Sequence, residues 1–523
     1  MEGIKGNLLK QIVLENLRVQ EPSKEEVLKV QRITVRYSLL HFLLRRNLLS
    51  SIQEIRVSSP KVYLTRDRKG LWNVEKIYKV KKITPEKIPQ IVATLKIDSG
   101  EVILLDYFKS PLKPPFQKVF KSISASLISS DYPFLILSLK GLDERQKEIK
   151  VKGKINLSSS CLNLDLYLHS WNLPSLGNYL VDKDKTSVKF KGGRFDLNLH
   201  LSSDLAFSQP DYQGEIQLRG AGVNLFKDSL PLRDIEGRLY FTNQGVSSED
   251  LGGSLREAKF KVRGVAHNFA SPQFDLDLVC SNLSLGELSR GDSCRGDSLE
   301  SLSKLKPEGK ADLSLRLKGE VTDPKITGQI TIRKGGFLGQ KVNQVSLSFK
   351  YYQRQLELSE GLAVLAGGEI FGGGWVDLSG DRPKILVSLI SKDLNSSELP
   401  LLQRLSPQLR LRGNLGGETI ISSASPLKVW GRVEVKKGEI QGVDLKKGEA
   451  VFAYQQKEIF LRGFRGEKEG AEIAGSGKIK LGENLDLKLR MNEFDLKEFK
   501  RITNFAWLSD YQLKGSANFL GRL

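Results

Sequence analysis

From Leu95 to the carboxyl end, apolar and polar residues alternate with a period of two, the signature of strands with one dry and one wet face. Ile216 and Leu218 alternate with Glu215, Gln217 and Arg219, Ile330 and Ile332 with Gln329, Thr331 and Arg333, and Val433 and Val435 with Arg432, Glu434 and Lys436. Glycine-containing turns at Lys334-Gly335-Gly336 and Lys437-Gly438 are expected to separate antiparallel strands, of which the pattern predicts about 30. Helical periodicity is scarce. Ser38 to Ile52 carries leucines around most of a helix about 22 Å long, too short to cross a bilayer. Burial of this helix, as a plug or in a core, fits its low polarity better than a place on a membrane surface. Shorter helices are predicted at Ser298–Leu305 and Leu496–Ile502, and residues 289–310 read as an exposed loop.

A degenerate phrase recurs about every hundred residues. It reads PDYQGEIQLRGAGV from Pro210, PKITGQITIRKGGF from Pro324 and PLKVWGRVEVKKGEI from Pro426. Its aligned glycines stand 114 residues apart from Gly214 to Gly328 and 103 from Gly328 to Gly431. A closing phrase keeps the same beat, ending at Leu176, Leu288, Leu399 and Phe499. The repeats divide the chain into an amino-terminal cap region (1–94, with helix 38–52), β repeats at 95–180 and 181–291, the loop at 292–310, β repeats at 311–402 and 403–502, and the start of a further one at 503–523. The last repeat is expected to be truncated.

An antiparallel sheet with one dry face must cover it with helices, a second sheet or a ligand. Helices are too few here. Two architectures satisfy the pattern: a closed sandwich, or a long sheet curled into a gutter whose apolar floor holds something greasy. In either, the dry face comprises Ile216, Leu218, Leu239, Phe241, Phe260, Val262, Leu276, Leu278, Leu313, Leu315, Ile330, Ile332, Leu347, Phe349, Val433, Val435, Ile479 and Leu481. A membrane barrel would want aromatic girdles at both strand ends, and none are evident in the pattern.

Charge and chemistry change this picture little. The net charge of +20 favours anionic partners. The basic residues alternate with apolar ones along strands instead of massing in one block, so they read as a solvated strand face and nucleic acid is not an expected partner. Cys161, Cys280 and Cys294 cannot form a closed disulfide framework, and His41, His169, His200 and His267 are scattered, so no metal or cofactor site is expected. GSGKIK at Gly475–Lys480 echoes a phosphate-binding loop, but Glu472 stands where glycine is required and Ile479 where serine or threonine is. RGDS occurs at Arg290–Ser293 and Arg295–Ser298, where ordinary turn chemistry accounts for it. No acid/base pair or nucleophile can be nominated, and a non-enzymatic protein is expected.

Residues Gly6 to Ile77 resemble the amino-terminal region of the AsmA and TamB proteins: GNLLKQIVLENLRV, then the leucine-rich SLLHFLLRRNLL, then IQEIRVSSPKVYLTRDRKGLWNVEKI. Pro60, Val62, Leu64, Arg66, Gly70, Trp72 and Asn73 fall where that family has its most specific pattern. The later G-x-[IV]-x-[IVL] strands and NLSLGEL-like phrases look like its repeated body. The resemblance implies a mostly β fold, an elongated, curled antiparallel sheet (a β-taco) with a hydrophobic groove built from repeats of about 100 residues. It further implies a periplasmic protein held at the inner membrane by an anchor absent from this chain, with phospholipid acyl chains as cargo. Phospholipid transport between inner and outer membrane, or assistance to outer-membrane protein assembly through a barrel partner met by a missing carboxyl-terminal part, would be its function. The alternative is a structural or adhesive β-repeat protein with a closed core and no lipid.

Overall fold

In the computed structural model the described residues are the whole chain except 1–2, 8–9, 22–24, 46–50, 75–92, 109–114, 132, 181–187, 206–209, 226–229, 270, 287–305, 338, 381–382, 401–410, 424–426, 441–442, 457, 481–484, 496–515 and 523. Strands take up 81% of them and helices 5%, so the fold is mostly β and helices do not cover its faces. The chain forms two compact units, Met1–Arg256 with His267–Phe269, and Glu257–Ala266 with Ala270–Leu523.

The first unit contains β1 (Gly3–Asn7), β2 (Gln11–Gln20), β3 (Glu26–Tyr37), α1 (Leu39–Arg45), β4 (Ile52–Arg66), β5 (Thr94–Asp106), β6 (Phe116–Asp131), β7 (Phe134–Asp143), β8 (Glu148–Asn156), β9 (Cys161–Asn172), α2 (Leu173–Leu180), β10 (Lys189–Asp204), β11 (Asp211–Leu225), β12 (Leu230–Thr242) and β13 (Gly245–Leu255). Each strand pairs with the next in sequence, antiparallel throughout except for the parallel β4–β5 ladder, Glu54 opposite Thr94 through Arg66 opposite Asp106. A parallel pair needs a long crossover, and residues 67–93 supply it.

The second unit contains β14 (Ala258–His267), β15 (Gln273–Ser284), β16 (Glu308–Glu320), β17 (Pro324–Phe337), β18 (Gln340–Tyr352), β19 (Gln355–Leu365), β20 (Gly368–Asp377), β21 (Lys384–Asn395), a 3-10 turn at Ser396–Glu398, β22 (Leu411–Ser422), β23 (Lys428–Ile440), β24 (Val443–Gln455), β25 (Glu458–Lys468), β26 (Ala471–Lys480), β27 (Leu485–Asp495) and β28 (Ser516–Arg522). From β15 to β28 every ladder is antiparallel between neighbours in sequence. Among the described residues no ladder joins β1 to β13 or β15 to β28, so within each unit the sheet is open.

Both sheets are curled. In the first unit the rings of Phe120 on β6 and Trp171 on β9 lie 6.1 Å apart, and Lys118 Nζ sits 5.1 Å from the Trp171 ring centre. A flat sheet would hold those two strands about 14 Å apart. In the second unit Val342, Leu365, Leu394, Leu415 and Val435, from five different strands, share one buried cluster.

The curl follows a line of bulged, left-handed residues that recurs on many of the strands. Ser99, Ser122, Ser170, Gly193, Gly220 and Asp234 have positive φ in the first unit, and Asn282, Gly309, Lys334, Asp393, Gly413 and Lys437 in the second. Ladder registers shift beside many of them, for example between Cys280 and Leu283 and between Ser391 and Leu394. A bulge bends its strand and increases the local twist, so a column of bulges creases a sheet. Just past the crease the side chains turn inward: Ile123, Trp171, Ala221, Ile235, Ala311, Leu394 and Leu415 are all buried.

The crease carries the repeat. Ser170, Asn282, Asp393 and Glu493, all with positive φ, stand on β9, β15, β21 and β27, 112, 111 and 100 residues apart, so one repeat is six strands. The glycine-containing segments at Lys334–Gly336 and Lys437–Gly438, expected to be turns, lie inside β17 and β23 instead. Their glycines serve the crease, which looks like a turn in sequence because both need a left-handed residue.

Two further expectations are corrected. Of the helix expected over 38–52 the described residues show α1, Leu39–Arg45, and a helical Ser51; Leu40 and Leu43 are 67% and 63% exposed, which does not fit a core helix. Ser38 N–H donates to the Ser51 carbonyl at 2.9 Å, so the two ends of this excursion meet just before β4 begins at Ile52. The stretch read as loop to residue 310 ends earlier, because β16 begins at Glu308. The helices expected at 298–305 and 496–502, and both RGDS tetrapeptides, lie outside the described residues.

Candidate functional site

The register fixes which residues share the inner face. In the second unit one row runs from Leu278 through Leu315, Gly328, Phe349, Leu358, Gly374, Val387, Ile421, Val429 and Tyr454 to Ile459. Beside it Leu313, Ile330 and Leu347 stand in line, and nearer the crease so do Ala311, Ile332, Val345, Ala363 and Ile370. In the first unit Ile216 lies between Leu197 and Leu239, and Leu218 between Phe195 and Gly237.

Most of the expected dry-face residues therefore do line one face of their unit. Ile216, Leu218, Leu239, Phe241, Phe260, Val262, Leu276, Leu278, Leu313, Leu315, Ile330, Ile332, Leu347, Phe349 and Val433 are half-buried, while Val435 is buried at 7% exposure on the crease. Ile479 belongs to β26 opposite Ile459, but its side chain, like the whole of Leu481, lies outside the described residues. Half-burial is the informative property. In a closed sandwich the inner faces interdigitate and these side chains would be sealed.

The aligned glycines of the repeat keep this face smooth. Gly214, Gly328 and Gly431 stand opposite Phe241, Phe349 and Phe452. A Cβ on Gly214 would lie 2.6 Å from Cζ of Phe241, and one on Gly328 2.7 Å from Cζ of Phe349, so each ring occupies the space its glycine leaves free. Pattern reading missed β19 to β22, including Leu358, Ile370, Val387, Leu389 and Ile421. In β21 Leu386 and Ile390 make both faces apolar, and a period-two signal then names neither.

Two of the closing phrases are seen to seal the crease end. In the second unit Asn395 caps the 3-10 turn, accepting from Ser397 N–H at 3.1 Å, and Leu399 packs on the Val342–Val435 cluster. Gln340 Nε2, buried on β18, donates to the Glu398 carbonyl at 3.3 Å and so ties this turn back across three strands. In the first unit the equivalent element is α2, capped by Asn172, whose Oδ1 accepts from Ser175 N–H at 3.0 Å. Tyr179 on α2 stacks on Phe116 at 3.9 Å and donates its O–H to the fully buried Asp106. Burial, and then the Asp106 carboxylate, push the Tyr179 hydroxyl up to about 12.

The residues of the family-like phrase form a knot at the end of β4. Arg66 pairs with Asp106 at 3.7 Å, donates to the Gly70 carbonyl at 3.1 Å and covers Phe108 and Trp72. Buried Asn73 accepts from Thr65 N–H at 3.0 Å and donates to the Tyr63 carbonyl at 2.7 Å. A second knot joins Lys118 to Asp143 at 3.0 Å beneath Trp171. Burial alone would raise the Asp143 carboxyl, but the Lys147 and Arg145 N–H groups and the Lys118 ammonium outweigh it and hold it below the ordinary value.

Many of the charged groups elsewhere sit on the wet face. His200 meets Asp165 at 2.8 Å and His169 meets Asp196 at 3.0 Å, while cross-strand pairs such as Arg316–Asp275 and Arg465–Glu472 lace the second unit. Cys280 is buried, which pushes its thiol up and leaves it inert. Gly475–Lys480 is strand, not a phosphate loop. Among the described residues no three His, Cys, Asp or Glu side chains gather as a metal site, and no helix is long and apolar enough to cross a membrane. No protein-family model matches the chain, and no curated protein matches it.

Proposed function

We propose that the inner face holds the acyl chains of phospholipids and that the protein is a non-enzymatic conduit for them. The observation that carries this reading is the half-burial of consecutive apolar rows on the inner face, which among the described residues no helix or second sheet covers. Such a face in water is costly unless occupied, and an acyl chain laid along it recovers roughly 0.8 kcal/mol per methylene removed from water. A conduit needs a greasy path and no reactive side chain.

The resemblance of Gly6–Ile77 to AsmA and TamB proteins supports the setting: the periplasm, with inner-membrane attachment, serving phospholipid transport to the outer membrane or assembly of outer-membrane proteins. A photocrosslinking amino acid at position 332 tests the reading. Ile332 is half-buried on the inner face, so crosslinks to phospholipid are expected there and not at position 435, sealed in the crease. Lipid-free protein from a gentle preparation, with no crosslink at 332, rejects the conduit and favours a closed structural or adhesive β-repeat.

A further inference from the structure

The outer face of the second unit departs from the polar pattern along one rim. Tyr352 is the last residue of β18, and Trp375, Leu386, Trp430 and Phe460 each stand two residues from the turn end of β20, β21, β23 and β25. Register places Trp375 opposite Leu386, and Trp430 in line with Phe460 through Ala453. All are large and open to water, Tyr352 at 42%, Trp375 at 43%, Trp430 and Phe460 at 38%. Isolated exposed apolar side chains are ordinary, but four aromatics at one height along one rim of eight successive strands are not.

Lysines accompany them. Lys325 Nζ lies 4.6 Å from the Tyr352 ring centre and Lys478 Nζ 5.5 Å from that of Phe460, and Lys384 and Lys428 begin β21 and β23 at the same rim. The carboxylates of these rim rows are Glu357, Asp377, Glu458 and Asp486, with Glu320 and Asp323 at the β16–β17 turn beside Lys325; Glu458 is paired with Lys478 at 2.8 Å and Asp486 stands opposite the same lysine, so Lys325, Lys384 and Lys428 carry the charge left for a partner. Protein interfaces enrich aromatics but deplete lysine. Aromatic rings with lysines beside them suit the headgroup layer of a bilayer, where the ring sits at the apolar boundary and the ammonium meets phosphate.

We propose that this rim docks on the surface of an anionic lipid bilayer. Docking uses the outer face and stands whatever the inner face holds. The test is flotation of the full chain with vesicles of phosphatidylcholine alone and of phosphatidylcholine with phosphatidylglycerol. Binding is expected to the anionic vesicles, weakening with salt. Trp375→Ser with Trp430→Ser is expected to lower the partition about tenfold, and Lys325→Glu with Lys428→Glu about fivefold or more per lysine. The lysine variant leaves the rings in place, so it reads docking even if the tryptophan variant misfolds by circular dichroism. Equal flotation with both vesicle types, or unchanged flotation in folded variants, overturns the proposal. So does a tryptophan variant that loses self-association in lipid-free sedimentation while still floating, because the rim then joins two copies. Crosslinking at position 332 reads the inner face separately, so failure of docking and failure of the conduit are told apart.

Discussion

Gly413 of β22 faces Gly438 of β23 so closely that a Cβ on Gly413 would stand 2.7 Å from the Gly438 Cα. Gly309 meets Gly335 in the same way, again at 2.7 Å, and Gly193 meets Ala221. These pairs recur 116 and 104 residues apart along the first glycines, from 193 to 309 to 413. They are the points at which two backbones approach across the crease.

Gly413→Val is therefore expected to destabilise the second unit by about 2–4 kcal/mol, since it adds a backbone clash to a φ of +135°. Urea titration followed by circular dichroism reads the loss. A variant as stable as the parent removes the close approach as a cause of the crease.

Lys118→Met leaves the buried Asp143 charge without its ammonium and is expected to cost about 3 kcal/mol. Asp143 titrates lower when folded than the ordinary value of 3.8. Its contribution to stability is then present above that value and is lost as pH falls through the lower, folded one. Asp143→Asn should flatten the acid limb of a melting temperature against pH profile relative to the parent.

Tyr179 has the opposite sign. Its hydroxyl is raised from 10.0 to about 12, so the unfolded chain releases this proton first and stability falls as pH climbs between the two. Tyr179→Phe should abolish that fall while lowering stability at neutral pH, because Asp106 loses a donor. Ultraviolet titration of tyrosinate and melts at alkaline pH measure both.

Ile330→Asn and Leu347→Asn face each other across β17 and β18 on the inner face, where both side chains are half-buried. The double substitution should lower copurifying phospholipid several-fold with a stability cost near 1 kcal/mol for each half-exposed site. Lipid extraction and mass spectrometry give the first number and thermal melts the second.

Strict alternation made β16 to β18 legible, since Leu313, Ile330 and Leu347 have polar neighbours on both sides. In β20 and β21, Trp375, Leu386 and Ile390 put apolar residues on the outer face too, which hid both the inner row and the aromatic rim. The repeat was visible in Gly214, Gly328 and Gly431, but their role opposite phenylalanines needs cross-strand register, which no local pattern encodes. The crease was misread as turns because a left-handed Lys334 or Lys437 before glycine serves either purpose. Leucines at 39–44 suggested burial, yet periodicity reports only which side chains are greasy and not what covers them.

Six strands per repeat also make a ruler. At about 4.8 Å between neighbouring strands, each repeat advances its sheet by about 29 Å, while the left-handed crease residues on β9, β15, β21 and β27 return to the same place along their strands. Reach can thus change in whole-repeat increments without redesigning the trough. A gain or loss of a single strand would instead reverse the direction of every later one and carry its crease to the wrong rim.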